Sequence, residues 1–453
     1  MHRPPSPDRC QLLDRRTLLA GLGLLPAWPG HAQAPAMRTL TASRGAARLR
    51  GPDHPATPVF GYDGLVPGPV LRARRGEEFR LSLTNGLDEP TALHWHGLRI
   101  ANAMDGVPGL TQQPIQPGAT FDMAFTPQDA GTFLYRPWHP VHGAGQLTRG
   151  MAGLLIVEGP SLPTADREQI LVLDDWALDA EGALASPGSP LEPQGKPGTA
   201  GRIVTVNGQP DLVIEARANE RLWLRIANAA HARIMQFVVP GQPLTLVALD
   251  GQPCEPFLLQ NAQVTLGPGQ RAEIMLDVTG EPGASLPVAI NNLAGASIEG
   301  RIAIAEGAAL RPAPLPRPGW LAANPIAQEL DFRRAFRLDL GIETRGTEVV
   351  FNTRADRAPG PQPAFKVRRG TVVMAGLRNQ TPVFQAVHLH GHQARLLDGL
   401  DDGWKPFFLD TILVAPGTTA RIAFLADNPG KWVIEAQAIG NDNGPLVQWF
   451  EVT

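Results

Sequence analysis

Sulfur and net charge are what this chain has least of. Only two cysteines occur in 453 residues, Cys10 and Cys254. Cys10 lies in an opening segment that reads as removable, so no intramolecular disulfide is expected in the mature chain. Cys254, in the turn-like stretch Asp250-Gly251-Gln252-Pro253-Cys254-Glu255-Pro256, reads as a small half-buried filler. The formal charge is -3 with both signs interspersed, which leaves no basic stripe for nucleic acid and no polybasic surface for anionic lipid. Neither partner is expected. The apolar run Leu18 to Leu25 is too short to cross hydrocarbon, so no membrane span is expected either. Uninterrupted helix-forming stretches are missing as well: 48 glycines and 45 prolines punctuate the chain more densely than a helical protein tolerates.

What is present fits an all-β chain. Period-two runs such as Glu78-Phe79-Arg80-Leu81-Ser82-Leu83 and Arg221-Leu222-Trp223-Leu224-Arg225-Ile226 recur between Gly/Pro-rich turns. Three blocks share a plan in which a Pro-Gly turn precedes a strand; the turns are Gln116-Pro117-Gly118, Gly267-Pro268-Gly269 and Ala415-Pro416-Gly417. The plan predicts a threefold repeat of β-sandwiches. Linkers are expected at Gly159 to Asp166 and, around the proline-rich Arg311 to Pro318, from Gly307 to about Ala327. These divide the chain into domains at residues 35–160, 161–315 and 316–453.

Residues 1–34 read as an address. Paired Arg15-Arg16 directly before the apolar run, and Ala32-Gln33-Ala34 after it, resemble a twin-arginine export signal. The mature chain is therefore expected in the periplasm, as a monomer.

Histidine is scarce, with 11 in the chain, yet it clusters twice. In Leu93-His94-Trp95-His96-Gly97 two imidazoles at i and i+2 on a strand aim at the same face. The run His388-Leu389-His390-Gly391-His392 repeats the device far downstream. Neutral imidazoles converging from two strands suit copper, and their separation in sequence predicts a site at a domain interface.

These segments resemble the multicopper oxidase family. The first domain's likeness extends through Met104-Asp105-Gly106-Val107-Pro108-Gly109 and Gly131-Thr132-Phe133-Leu134-Tyr135. The second domain's lies in Thr205-Val206-Asn207-Gly208-Gln209-Pro210 and Ala248-Leu249-Asp250-Gly251. The third's lies in Val387 to His392, Asp410-Thr411-Ile412-Leu413-Val414 and Gly430-Lys431-Trp432. The resemblance implies three consecutive cupredoxin-like Greek-key sandwiches. It further implies a blue type 1 copper that accepts electrons and a type 2/type 3 trinuclear cluster held by four His-x-His pairs. By motif position His94 and His388 match the type 2 ligands, and His96 and His390 match two type 3 ligands. His392 matches a histidine that is not a ligand.

Elsewhere the resemblance fails at the ligands. Arg136-Pro137-Trp138 stands where one His-x-His pair is expected, and Glu435-Ala436-Gln437 stands where the His-Cys-His run is expected. Gln385, Asn441 and Leu446 take the other type 1 positions. A methyl group at Ala436 supplies neither the thiolate ligand nor its electronic route, so an ordinary laccase cycle is not expected and no catalytic residue is assigned. The expected metal ligands are His94, His96, His388 and His390, holding one copper ion rather than four. A histidine loop, His139 and His142, lies just beyond Arg136; it reads either as surface or, with a shift of Trp138 to His142, as the source of one more imidazole for the cluster. Arg136 and Glu435 are expected to approach each other and fill the vacated cavity with an ion pair. Divergent copper oxidoreductase and copper-handling protein are two readings of this pattern. A third is a copper-free scaffold like the family's cell-division relative, which would have a protein partner in the periplasm.

Overall fold

Alternation of side chains sets the strands, and tertiary contact decides what covers their second face. The computed structural model describes residues 36–453 except 180, 186–202, 293–296, 346–347, 352–356, 398–403 and 442. The expected export signal and Cys10 lie outside the described residues. Along Phe79–Asn85 buried and half-buried side chains alternate, as a strand with one face on a core requires. Arg221–Asn228 has the same alternation but is buried along its whole length. Its polar face meets protein: Arg225 bonds Thr132 and Glu273, and Arg221 bonds Asp277 and the linker carbonyls of Leu315 and Pro316.

The strands build three two-sheet sandwiches with one repeated plan, the expected all-β architecture. In spatial order the first sheets begin Thr57–Tyr62, Arg38–Ala47, Phe79–Asn85, Thr120–Phe125, then Ile203–Val206, Arg167–Trp176, Arg221–Asn228, Arg271–Asp277, then Glu348–Phe351, Phe336–Arg345, Thr371–Gln380, Thr419–Ala426. The second and third of these sheets add two strands at one edge. In each, the second and third strands pair in parallel and the third and fourth antiparallel. The facing sheet of the first sandwich runs Leu71–Arg74, Gly153–Glu158, Gly131–Pro137, Leu93–His96. That of the third runs Phe365–Val367, Leu446–Val452, Gly430–Ala438, Gln385–Leu389, Thr411–Val414. The two histidine strands thus hold equivalent places, each beside a strand that contributes to the site. No helix among the described residues is long and apolar enough to cross a membrane.

The repeated Pro-Gly turns are made in the same way each time. Gly118, Gly269 and Gly417 have φ of 76°, 81° and 71°, and the N–H of the residue after each donates to the carbonyl of Gln116, Gly267 or Ala415. Proline followed by a left-handed glycine is the type II pattern, and it reverses the chain into the strand that follows. Cys254 departs from expectation: it lies on the strand Gln252–Leu258, 2% exposed in the core of the second sandwich, because the turn closes earlier at Asp250 and Gly251. Burial pushes its thiol up to about 12.

One guanidinium ties the three sandwiches together. Arg271, fully buried in the second, makes a two-point ion pair with Asp410 of the third at 3.0 and 2.7 Å, and its Nε donates to the Thr132 carbonyl of the first at 3.1 Å. Asp250 accepts the Arg271 backbone N–H and that of Thr411. Apolar clusters seal the flanks: Val107 and Trp138 of the first sandwich pack on Val433 and Val447 of the third.

Gly97 closes this joint. Its φ is 86°, and a Cβ there would lie 2.2 Å from an Arg271 nitrogen and 2.3 Å from an Asp410 oxygen. Gly241, with φ 75°, has open space instead. Gly241→Ala should therefore cost only the left-handed backbone term, about 1–2 kcal/mol. Gly97→Ala should add about 1–3 kcal/mol for overpacking and have the lower midpoint in scanning calorimetry. Equal midpoints would show that the joint yields without cost.

Candidate metal centre

Strand geometry puts the paired histidines of both sandwiches into one buried volume. His94 and His96 project from the same face of Leu93–His96; His388 ends the inner part of Gln385–Leu389, and His390 follows one residue beyond it, its N–H donating to the Val433 carbonyl. All four are at most 2% exposed. Their rings stack across the interface, His94 on His390 at 3.9 Å and His96 on His388 at 3.5 Å between centroids. The four predicted ligands are therefore brought together.

The hydrogen bonds around them determine which nitrogens are free. His94 Nδ1 lies 2.9 Å from the Asp105 carbonyl and His388 Nδ1 lies 3.0 Å from the Asp410 carbonyl. A carbonyl only accepts, so both Nδ1 atoms carry hydrogen, and a neutral imidazole has no second one. The two Nε2 lone pairs then face each other across 3.2 Å. His390 Nδ1 donates to Asp105 Oδ2 at 2.9 Å, which leaves its Nε2 a lone pair too; that atom is buried without a partner. His96 Nε2 donates to Thr411 Oγ1 at 2.8 Å, because that hydroxyl spends its own hydrogen on Asp410 Oδ1; His96 Nδ1 is left buried and unpartnered.

Burial favours the neutral form of His94, His96 and His388. It pulls His388 down to about 4 and His96 well below its usual range, and lowers His94, where the neighbouring His390 and Arg136 add to the effect. The carboxylates go the other way. Burial alone would raise Asp105 and Asp410, but the imidazoles around Asp105, and Arg271 with two imidazoles around Asp410, hold both below the usual carboxylate range. Asp105 is 2% exposed, and its ion-pair partners among the described residues are His94 and His390. It is thus a buried negative charge supported by imidazoles alone.

Donor atoms of His94, His96 and His388 converge within 4.8 Å, as do those of His94, Asp105 and His390, and those of His388, His390 and Glu435. Buried lone pairs that face one another without a hydrogen between them, beside an uncompensated carboxylate, suit a cation. Nitrogen donors at this density suit copper, and zinc less specifically. The donor set fits the metal that the family resemblance implies.

Arg136 and Glu435 have their own arrangement beside the histidines. Arg136 stands opposite His94 in the strand register, and Glu435 stands opposite His388. The two meet in an ion pair, and Trp138 Nε1 donates to the other Glu435 oxygen at 2.9 Å. Burial would raise the Glu435 carboxyl, but Arg136 and the imidazoles hold it at about 2. Ala436 packs with Val387 and Leu446 in the apolar core of the third sandwich, while Gln385 donates to Thr381. His139 and His142 stay apart from the centre. His139 Nδ1 accepts the backbone N–H groups of Val141 and His142 and so shapes the turn that enters the short helix Gly143–Thr148.

Sequence reasoning passed over Asp105, Asp410, Thr411 and Arg271 as parts of the site. Asp105 and Asp410 stood inside motif segments, but which ring nitrogen each serves depends on contacts 11 to 285 residues away along the chain. Arg271 carried no local signal.

Three family models, each described as Multicopper oxidase, match residues 46–162, 167–294 and 337–438. Multicopper oxidase MmcO of Mycobacterium tuberculosis (strain ATCC 25618 / H37Rv) is 28% identical over 444 residues, 89% of this chain and 84% of the relative. The crystal structure of a multi-copper oxidase from Pseudomonas thermotolerans is 34% identical with a TM-score of 0.81, covering 92% of this chain and 99% of that one. The crystal structure of Lac15, from a marine microbial metagenome, is 32% identical with a TM-score of 0.74, covering 92% of this chain and all of that one. In sequence and in fold, this chain is a member of the multicopper oxidase family.

Proposed function

We propose that this member of the family binds a single copper ion between its first and third sandwiches and does not run the four-copper oxidase cycle. The observation that carries this reading is the pair of unprotonated Nε2 atoms of His94 and His388 held 3.2 Å apart with nothing to donate between them. These two are the ligands, with His96 and His390 alongside. Asp105 and Asp410 orient them by accepting their Nδ1–H groups, and burial keeps the rings in the form that ligates. Copper there would supply one-electron chemistry or polarise a bound oxygen donor.

The case against the full cycle is chemical. With a methyl group at position 436 and leucine at 446, both buried in core, the third sandwich has no thiolate to receive an electron. The Arg136–Glu435 pair lies where two imidazoles of the family cluster are expected. Export through the twin-arginine route to the periplasm belongs to the same reading, supported by Arg15-Arg16 and the short apolar run after them.

Metal analysis of protein exported from copper-replete cells should give about one copper per chain, and a His94→Ala/His388→Ala double variant should lose it. Copper should stay bound down to about pH 5 and leave as the pH falls through about 4, since His388 is pulled down to about 4 and competes poorly for protons. A metal-free wild type would instead leave the scaffold reading. Four coppers and an intense blue band would overturn the ligand assignment itself.

Export has its own test. An Arg15→Lys/Arg16→Lys double variant should accumulate inside the cell as uncleaved precursor, detected by fractionation and mass. Normal processing of that variant would remove the twin-arginine route.

A further inference from the structure

Two further donor atoms, His390 Nε2 and Glu435 Oε1, lie beside the proposed copper ligand His388. His390 Nε2 is buried and has no hydrogen-bond partner, and it lies 4.0 Å from Glu435 Oε1. Both are acceptors, and His390 has already given its one hydrogen to Asp105. A gap of that width is no more than twice a metal–ligand bond of about 2.0–2.2 Å. His388, His390 and Glu435 together bring their donor atoms within 4.8 Å.

Positive charge reaches this spot from Arg136. Its guanidinium sits on the Glu435 oxygen that faces His390, while Trp138 holds the other oxygen. A guanidinium has donors only and cannot ligate a metal, but it neutralises the carboxylate as an ion would. Arg136 Nε is itself buried without a partner, so the fit to the cavity rests on charge and not on complete hydrogen bonding. Arg136, Trp138 and Glu435 also line a cleft of about 460 Å³ that opens to solvent.

We infer that Arg136 is a tethered cation that occupies a second metal position, and that Glu435 and His390 form a carboxylate–imidazole site for a divalent ion once it is removed. The inference rests on the single-ion reading for the company His388 keeps, but it concerns only the difference between variant and wild type.

Equilibrium dialysis of the full mature chain against Zn(II), and separately Cu(II), with ions per chain counted by mass spectrometry, tests it. Arg136→Ala should bind one ion more than wild type, and the neutral Arg136→Gln should do the same if the alanine variant folds poorly. Arg136→Lys, which keeps the charge, should match wild type. Adding Glu435→Gln to Arg136→Ala should return the count to the wild-type value. The inference is overturned if the folded neutral variants bind no extra ion, or if Arg136→Lys gains one as they do, since space alone would then be responsible. A wild type with no ion and an Arg136→Ala variant with one would sustain it while removing the single-copper reading.

Discussion

Arg271 and Asp410 form the contact on which the centre depends. The guanidinium comes from the second sandwich, the carboxylate from the third, and the same guanidinium reaches a carbonyl of the first. A fully buried pair returns little net stability, because desolvation offsets most of the attraction. What it supplies here is a fixed arrangement. Asp410 bonded to Arg271 also positions Thr411, and through Thr411 and its own carbonyl it sets the orientation of His96 and His388. The second sandwich contributes no histidine to the centre, yet it holds in register the two sandwiches that do.

Around that joint the interface is rich in acceptors and poor in hydrogen. Each imidazole has its N–H beside a carbonyl, hydroxyl or carboxylate acceptor, and the Nε2 lone pairs of His94 and His388 are left facing each other. Burial then keeps His96 and His388 from taking up protons to relieve the arrangement. Two compensations are built into the chain: Arg136 against Glu435, and Arg271 against Asp410 and Asp250. Among the described residues Asp105 has none beyond the imidazoles. The surplus negative charge and the inward lone pairs lie in the same place, which is why the donor set suits one cation.

The symmetry of the repeat makes the replacements intelligible. The strands carrying Arg136 and Glu435 are equivalent in their two sandwiches, and each residue stands opposite the first histidine of its own sandwich. Their charges are opposite and they meet, so neither is an unpaired buried ion. Ala436 and Leu446 join an apolar core that needs no partner.

Period-two patterning, the Pro-Gly turns and the two His-x-His runs were enough to establish an all-β chain of three related sandwiches and to pick out His94, His96, His388 and His390, because each signal is local and strand geometry converts i, i+2 spacing into a shared face. The approach of Arg136 to Glu435 was also legible, once both were seen to occupy ligand positions. Other features were decided only by tertiary structure. Arg225 is buried against a neighbouring sandwich, and Cys254 was placed in a turn but lies in a core strand. The tautomers, the carboxylates that impose them and the role of Arg271 came from contacts between residues remote in sequence, where a single hydrogen bond of given direction, and not a residue type, determines which nitrogen is left to bind.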